Sequence, residues 1–225
     1  MNDLPLRTWN GLVIPARGAY HLDAEHMRVG FSVTHMMVAS VRGEFTQASA
    51  HAWIAEDPLQ SQVAAQIQVA SLDTDNAERD GHLRSADFFD ADSYPVVSFR
   101  STGITWQPQA DPIFSWARLK GHHPDRATAV PASATAPSTR LQLHGDLTIR
   151  GTTRPVTLDA EFGGARRDPY GRDIWGFSAS AQVDREEFGL VWNMALETGG
   201  VLVGRSVRLE LAGEFIRSDG VTGRG

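Results

Sequence analysis

The residues best suited to binding chemistry are charged side chains gathered in the stretch RDGHLRSADFFD, which occupies residues 79–90. Arginine holds phosphate and other oxyanions through a planar fork of N–H donors, so Arg79, Arg84 and the nearby His82 are candidates for contact with an anionic head group. The same spacing equally suits surface ion pairs along a helix, in which Arg79 pairs with Asp75 and Arg84 pairs with an aspartate one turn earlier. The sequence leaves both interpretations open.

Two adjacent phenylalanines, Phe88 and Phe89, follow these charges and predict how the stretch is attached. Residues 76–85 are rich in charge and contain no β-branched residue, a composition that favours a short helix. An apolar pair directly after such a helix is predicted to anchor it on a larger apolar element. The stretch then forms a charged rim beside an apolar opening.

Other residue types that carry catalysis or bind metals lack the spacing that those functions need. The chain contains no cysteine, which excludes disulfides, thiolate catalysis and cysteine-bound zinc. Its eight histidines form no HxxxH or HExxH pair, and no serine occupies a GxSxG elbow. The glycine-rich run at residues 199–204 precedes a predicted strand, whereas a dinucleotide site needs a helix there. We therefore expect no enzyme activity, no cofactor and no metal.

Composition and charge limit the class of protein. The 225 residues fit one all-β barrel domain, and the 41% apolar and 21% charged residues are typical of a soluble globular protein. The net charge of -6 opposes binding to a phosphate backbone, so we expect no nucleic-acid partner. No window approaches the roughly 20 apolar residues of a membrane-spanning helix. The N-terminus lacks the apolar run of a secretory signal, which predicts a cytoplasmic protein, or a periplasmic one if an export signal has been removed.

Alternation of apolar and polar residues dominates the chain and predicts strands that bury one face. Along residues 27–35 the odd positions form the buried face, and residues 63–69 repeat the pattern. Strands and helices do not alternate as a parallel sheet requires, so the sheet is predicted to be antiparallel. About eight such strands remove their exposed edges by closing into a barrel. The other predicted strands are residues 41–46, 51–55, 96–102, 141–149, 156–162, 174–183 and 207–215.

Two groups of residues that contain glycine or proline predict hairpin turns between strands. One covers residues 151–155, and the other combines Gly163-Gly164 with residues 168–171. Because each turn joins strands that are neighbours in the sequence, the strands are predicted to follow an up-and-down order around the barrel.

Composition also predicts the boundaries of the domain. An N-terminal extension covers residues 1–17, the barrel domain covers residues 18–217, and a flexible C-terminal tail covers residues 218–225. An insertion at about residues 107–140 interrupts the strand pattern. Its second half is rich in alanine, serine and proline, a composition typical of a flexible loop.

Two further stretches accompany residues 79–90, and the three together resemble a known family. FSVTHMMVASVRGEF occupies residues 31–45, and GDLTIRGTTRPVTL occupies residues 145–158. In this arrangement the chain resembles the YceI-like polyisoprenoid-binding family, and the resemblance extends from about Gly18 to Phe215. It implies an all-β fold, a lipocalin-like antiparallel up-and-down β-barrel of about eight strands with a short helix at one end.

The resemblance also implies a function, the storage or transport of a long polyisoprenoid lipid inside the barrel without catalysis. The implied partners are an isoprenoid quinone or an isoprenyl pyrophosphate, with its head group near Arg79, His82 and Arg84. The inward rows of the strands then supply the lipid-binding residues, although His35 suits a core position as well. These residues are Phe31, Val33, His35, Val63, Ile67, Val69, Phe99, Leu147, Ile149, Leu158, Phe177 and Trp192.

Two other functions stay open at this point. One alternative is an enzyme that acts on a small molecule at residues 79–90, and the other is a stress or interaction protein with a filled barrel. Alternation fits a hollow barrel and a filled barrel equally well, because it only determines which side chains point inward. The sequence is also compatible with a homodimer.

Overall fold

The computed structural model describes residues 6–36, 39–107, 137–194 and 202–218. These residues form twelve β-strands, one α-helix and three short 3-10 segments. The helix is α1 (Ala77–Arg84). The strands are β1 (Leu6–Trp9), β2 (Leu12–Pro15), β3 (Gly18–His35), β4 (Ala39–Phe45), β5 (Ala48–Ile54), β6 (Gln62–Gln68), β7 (Leu72–Asp73), β8 (Val96–Trp106), β9 (Arg140–Ile149), β10 (Thr152–Arg167), β11 (Asp173–Asp184) and β12 (Val203–Arg217).

The main sheet closes into a barrel because its last strand pairs with its first. Strands β3 to β12 form one antiparallel sheet, and β12 also pairs with β3. β4 and β5 pair with successive parts of β3, while β7 pairs with β4 and β6 pairs with β5. Each of the pairs β4–β5 and β6–β7 therefore serves as one bent strand. The result is a closed barrel of eight strands in up-and-down order, which confirms the predicted architecture.

Both predicted connections are present, and each is shorter than predicted. Residues 168–171 join β10 to β11 at the predicted place. Between β9 and β10 the turn consists only of Arg150-Gly151, both with positive φ, so residues 152–155 already belong to β10. The inclusion of Gly163-Gly164 in the second connection was wrong, because both residues lie within β10. The register of β10 against β11 shifts there, which makes a β-bulge that bends the strand without ending it.

Helix α1 forms where the charged stretch predicted it. The side chain of Asn76 accepts a hydrogen bond from the backbone N–H of Arg79 at 2.9 Å and so caps the helix. After the helix, Phe88 is buried in an apolar cluster and Phe89 packs against the same cluster. The predicted role of these two phenylalanines as an anchor on the barrel is confirmed.

The two ends of the barrel are covered by different elements. α1 and the residues after it cover one end, which we call the helix end. β1 and β2 form a separate two-stranded hairpin over the other end, near β10 and β11, which we call the hairpin end. This hairpin occupies the region predicted as an N-terminal extension. Its turn is Asn10-Gly11, both with positive φ.

Two separate clusters of buried side chains mark these ends. Val69 and Phe188, each 1% exposed, belong to the cluster at the helix end. Tyr20, 1% exposed, and Phe215, 2% exposed, belong to the cluster at the hairpin end. Because the core is divided in this way, we expect internal space in the middle of the barrel.

Strands β8 and β9 stay paired up to the predicted insertion. Trp106 pairs with Leu141, and the backbone N–H of Gln107 donates to the carbonyl oxygen of Arg140 at 3.0 Å. Residues 108–136 and 219–225 lie outside the described ranges, so the flexible loop and the flexible tail stay predictions. Within the ranges that are described, no helix has the length and apolar character to cross a membrane.

Candidate functional site: an apolar cavity inside the barrel

The barrel encloses a cavity of about 340 Å³ that extends from the hairpin end to the helix end. A volume of about 300–1,000 Å³ is usual for sites that bind small molecules. Trp9 and Ile14 line the cavity at one end, and Leu83 and Phe88 line it at the other. Nearly all of the lining is apolar, so the cavity suits a hydrocarbon better than a polar molecule, which would lose hydrogen bonds to water.

Nine of the twelve predicted lipid-binding residues line this cavity. The other three lie at the helix end and, among the described residues, are not part of the lining. His35 ends β3 opposite Val203 of β12, Val69 is buried in the helix-end cluster, and Trp192 packs against Phe88. The nine are Phe31, Val33, Val63, Ile67, Phe99, Leu147, Ile149, Leu158 and Phe177. Contact between these residues and a ligand stays a prediction.

Two glycines explain how large side chains inside the barrel leave space between them. The ring of Phe31 on β3 lies over Gly43 of β4, where any side chain would collide with that ring. The ring of Phe99 on β8 lies over Gly145 of β9 in the same way. Because each ring occupies the place of a missing side chain, it lies close to the barrel wall. The sequence shows the glycines, but the rings that cover them are visible only in the folded barrel.

Aromatic rings close the cavity at the helix end. Phe88 and Phe188 are 5% and 1% exposed, and both line the cavity. The ring of His82 on α1 meets the ring of Trp192 edge-on, with centroids 4.5 Å apart, and Trp192 lies 5.4 Å from Phe88. Trp192 therefore joins α1 to the segment that follows β11.

The predicted head-group residues are held by the protein itself. Arg79 donates through Nη2 to the carbonyl oxygen of Thr74 at 2.6 Å and through Nε to the hydroxyl oxygen of the same residue at 2.7 Å. Arg84 donates through Nη1 to the carbonyl oxygen of Leu72 at 2.9 Å. Within the described ranges neither arginine pairs with a carboxylate, so the ion pairs considered from the sequence are not formed. These contacts hold α1 on β7, and the cavity lining contains neither of these arginines nor His82.

A buried arginine at the helix end was missed by the sequence analysis. Arg185 follows β11 and donates to the carbonyl oxygens of Leu190, Trp192, Val203 and Gly204, the last at 2.9 Å. Its side chain therefore ties the segment after β11 to the start of β12. Burial lowers the pKa of this guanidinium, and two neighbouring carboxylates act in the opposite direction. In the sequence, its position beside two glutamates is typical of a solvated surface, which concealed this role.

The hairpin end of the cavity is formed by aromatic residues that the sequence analysis also missed. Trp9 of β1 meets Trp106 of β8 edge-on with centroids 4.9 Å apart. Trp175 of β11 stacks on Phe215 of β12 with centroids 4.5 Å apart. All four rings line the cavity. The indole Nε1 of Trp175 is buried and has no hydrogen-bond partner in the part of the chain that the structure describes.

Several charged pairs lie at the hairpin end and on the surface. At the hairpin end, the carboxylate of Asp173 lies 3.1 Å from Arg167 and 3.4 Å from Arg217. On the surface, His26 lies 3.0 Å from Asp23, and this hydrogen bond raises the pKa of His26 and lowers the pKa of Asp23. Over the described ranges, no three histidines or carboxylates are grouped so that they could hold a metal ion.

A closed antiparallel barrel with an apolar interior places the chain among the lipocalin-like barrels. A family model, the YceI-like domain, matches residues 20–215. A UPF0312 protein of Staphylococcus epidermidis is 32% identical over 198 residues, which cover 87% of this chain and 96% of that protein. A UPF0312 protein of Staphylococcus aureus is 30% identical over 202 residues, which cover 89% and 98%. The chain belongs to the YceI-like family, as its three sequence motifs predicted.

Solved structures share the fold. BcnA of Burkholderia cenocepacia is similar with a TM-score of 0.63 at 19% identity, covering 88% of this chain and 99% of that chain. A polyisoprenoid binding domain from Saccharophagus degradans is similar with a TM-score of 0.56 at 12% identity, covering 90% and 100%. At such low identity these similarities establish the barrel fold and leave the ligand to be argued from the cavity.

Proposed function

We propose that the protein binds a long polyisoprenoid lipid in the barrel cavity, for storage or transport, and does so without catalysis. The observation that carries the proposal is the cavity between the two barrel ends, lined almost wholly by hydrocarbon side chains. The shared fold of the polyisoprenoid binding domain from Saccharophagus degradans supports the same class of ligand.

Hydrophobic burial is the physical basis of this binding. Each methylene group that moves from water into an apolar site contributes about 0.8 kcal/mol, so a chain of several isoprene units binds tightly without polar contacts. A filled barrel, the alternative considered from the sequence, is disfavoured because the cavity remains open along the barrel. The cavity also disfavours a ligand with a buried charged group, because the free energy needed to bury an unpaired charge is far larger than the free energy that one buried methylene group contributes.

The alternative of a small-molecule enzyme at residues 79–90 has weaker support. Arg79 and Arg84 already donate to backbone oxygens, and the carboxylate of Asp80 accepts a hydrogen bond from the hydroxyl of Thr74 at 2.5 Å. Groups engaged in this way hold α1 in place. We therefore favour binding over catalysis.

Native mass spectrometry of the purified protein, followed by organic extraction, tests the proposed function. We expect an isoprenoid to co-purify with the protein, and a fluorescent geranylgeranyl analogue to be taken up after the lipid is removed. Ile67→Lys places a charge in the cavity and should abolish uptake, whereas Gln66→Lys on the exposed face of the same strand should not. Circular dichroism verifies that both variants fold. Normal uptake by a folded Ile67→Lys variant would mean that the analogue binds elsewhere.

We also propose that the apolar tail of the lipid contributes more of the binding free energy than its head group does. If Arg79, His82 and Arg84 contact an anionic head group, the double variant Arg79→Ala, Arg84→Ala loses affinity for an isoprenyl pyrophosphate and keeps affinity for a quinone with the same tail. If the arginines only hold α1, affinities for the two ligands fall equally and the melting temperature falls with them. Titration at low and high salt is the control, because salt screens exposed charges most strongly.

A further inference from the structure

We infer that the N-terminal hairpin formed by β1 and β2 sets the length of the apolar chain that the cavity accepts. The inference rests on the proposed function and extends it to chain-length specificity. The hairpin lies before residue 20, where the match to the family model begins, yet Trp9, Ile14 and Pro15 all line the cavity. A segment outside the matched domain thus contributes to one end of the site.

The helix end of the cavity is the fixed end. Phe188 is fully buried there, and Arg185 ties the segment after β11 to β12 through backbone oxygens. Arg150 adds a second tie, because it donates to the carbonyl oxygen of Ala86 at 2.7 Å and to that of Gly189 at 3.1 Å. These contacts hold the described segments together at this end of the cavity.

At the hairpin end, the contacts that join β1 and β2 to the barrel within the described residues are made by side chains. Among the described strands, β1 and β2 pair only with each other, so no backbone ladder joins them to the barrel. The hairpin is held by the contact of Trp9 with Trp106, by the buried side chain of Ile14, and by Arg7, which donates to two carbonyl oxygens just after β5. A two-stranded hairpin by itself is marginally stable in water, so these contacts both order the hairpin and place Trp9 at the end of the cavity.

Trp9 has the largest of the hairpin side chains that line the cavity, so among these hairpin residues it takes up the most space at this end of the site. An indole ring is larger than one isoprene unit, so its removal makes room for a longer chain. Each buried methylene group raises affinity about fourfold, and an isoprene unit contains several carbon groups. Burial of one additional unit is therefore expected to raise affinity by at least about tenfold.

The test uses the full-length protein, freed of lipid and titrated with all-trans prenols from farnesol to solanesol. In the wild type we expect affinity to rise with chain length and then to stop rising at a limit. Trp9→Ala should move this limit to a longer prenol and raise the affinity for the first prenol beyond the wild-type limit at least about tenfold. Trp9→Phe, which keeps most of the ring, should fall between the two. The matched control is Trp53→Ala, because Trp53 is exposed on β5 and is not among the lining residues described.

The outcomes separate this inference from the proposed function. A folded Trp9→Ala variant that keeps the wild-type limit overturns the inference but leaves prenol binding, and so the proposed function, intact. A wild-type protein that binds no prenol overturns both. Should Trp9→Ala fail to fold, Trp9→Phe and Ile14→Val decide the matter, because a smaller shift in the same direction supports the inference and an unchanged limit overturns it.

Discussion

The buried guanidinium of Arg185 offers the sharpest test of what keeps the helix end closed. Arg185 is 4% exposed and donates to the carbonyl oxygens of four residues. Arg185→Met removes every one of these donors and keeps an unbranched side chain. The four carbonyl oxygens then lose a charged partner at a place that water reaches poorly, and the segments on either side of the guanidinium are no longer tied together.

The expected loss can be worked out from these contacts. A hydrogen bond to a charged group contributes about 1.5–3 kcal/mol, but the carbonyl oxygens nearer the surface regain water as the segment relaxes. Methionine also avoids the free energy that is needed to bury a charge. Because the loss of several charged hydrogen bonds is partly offset in this way, we expect the free energy of unfolding to fall by about 3–5 kcal/mol. For a domain of this size each kcal/mol corresponds to about 2–4 °C, so the melting temperature should fall by about 6–20 °C.

Urea unfolding followed by circular dichroism measures this loss. The matched control is Arg205→Met, because the side chain of Arg205 is 64% exposed and its ion pair with Asp184 lies at 2.8 Å on the surface. This control should cost at most about 1 kcal/mol. Arg185→Lys keeps the charge but offers fewer donors, so its loss should be intermediate. A loss for Arg185→Met no larger than that for Arg205→Met would refute the reasoning.

Three further predictions concern the wall, the surface and the hairpin end. Gly145→Ala places a Cβ against the ring of Phe99 and the carbonyl oxygen of Arg100 and should cost about 1–3 kcal/mol in urea unfolding, whereas an unchanged midpoint would contradict this close packing. Asp23→Asn should lower the pKa of His26 toward about 6.5 in an NMR titration, since the hydrogen bond to Asp23 raises it. The stability difference from wild type should vanish as pH rises through the raised pKa of His26 or falls through the lowered pKa of Asp23. Trp175→Phe removes an N–H group that has no partner among the described residues, so it should cost less than about 2 kcal/mol by the same unfolding assay, and a larger loss would contradict this expectation.

The barrel could be predicted from the sequence because alternation is a property of a single strand. Residues 27–35 show which face points inward before any partner strand is known, and the structure confirms their place in β3. The pair Gly163-Gly164 was wrongly predicted to belong to a turn for the opposite reason. A bulge is defined by the register against the neighbouring strand, here β11, and that register is absent from the local sequence.

The candidate site was predictable along the strands and less so at the ends. The inward rows identified most of the lining, whereas Arg185 acquires its role only when two distant segments meet around it. The sequence did contain an indication of the hairpin at the other end. An Asn-Gly pair is a strong short-range indication of a hairpin turn, and Asn10-Gly11 marks the segment that supplies Trp9 to the cavity.

A hollow barrel can be stable because its stability does not depend on a filled centre. Pairing of β12 with β3 lets the strands of the wall satisfy their backbone groups within the sheet, and the two buried clusters supply apolar packing at the ends. The space between them is apolar, and water enters such a space reluctantly because it finds no hydrogen-bond partners there. An apolar chain therefore displaces little bound water and adds dispersion contacts with the wall. For this reason the length of the tail, limited by the hairpin, should determine affinity more strongly than the head group does.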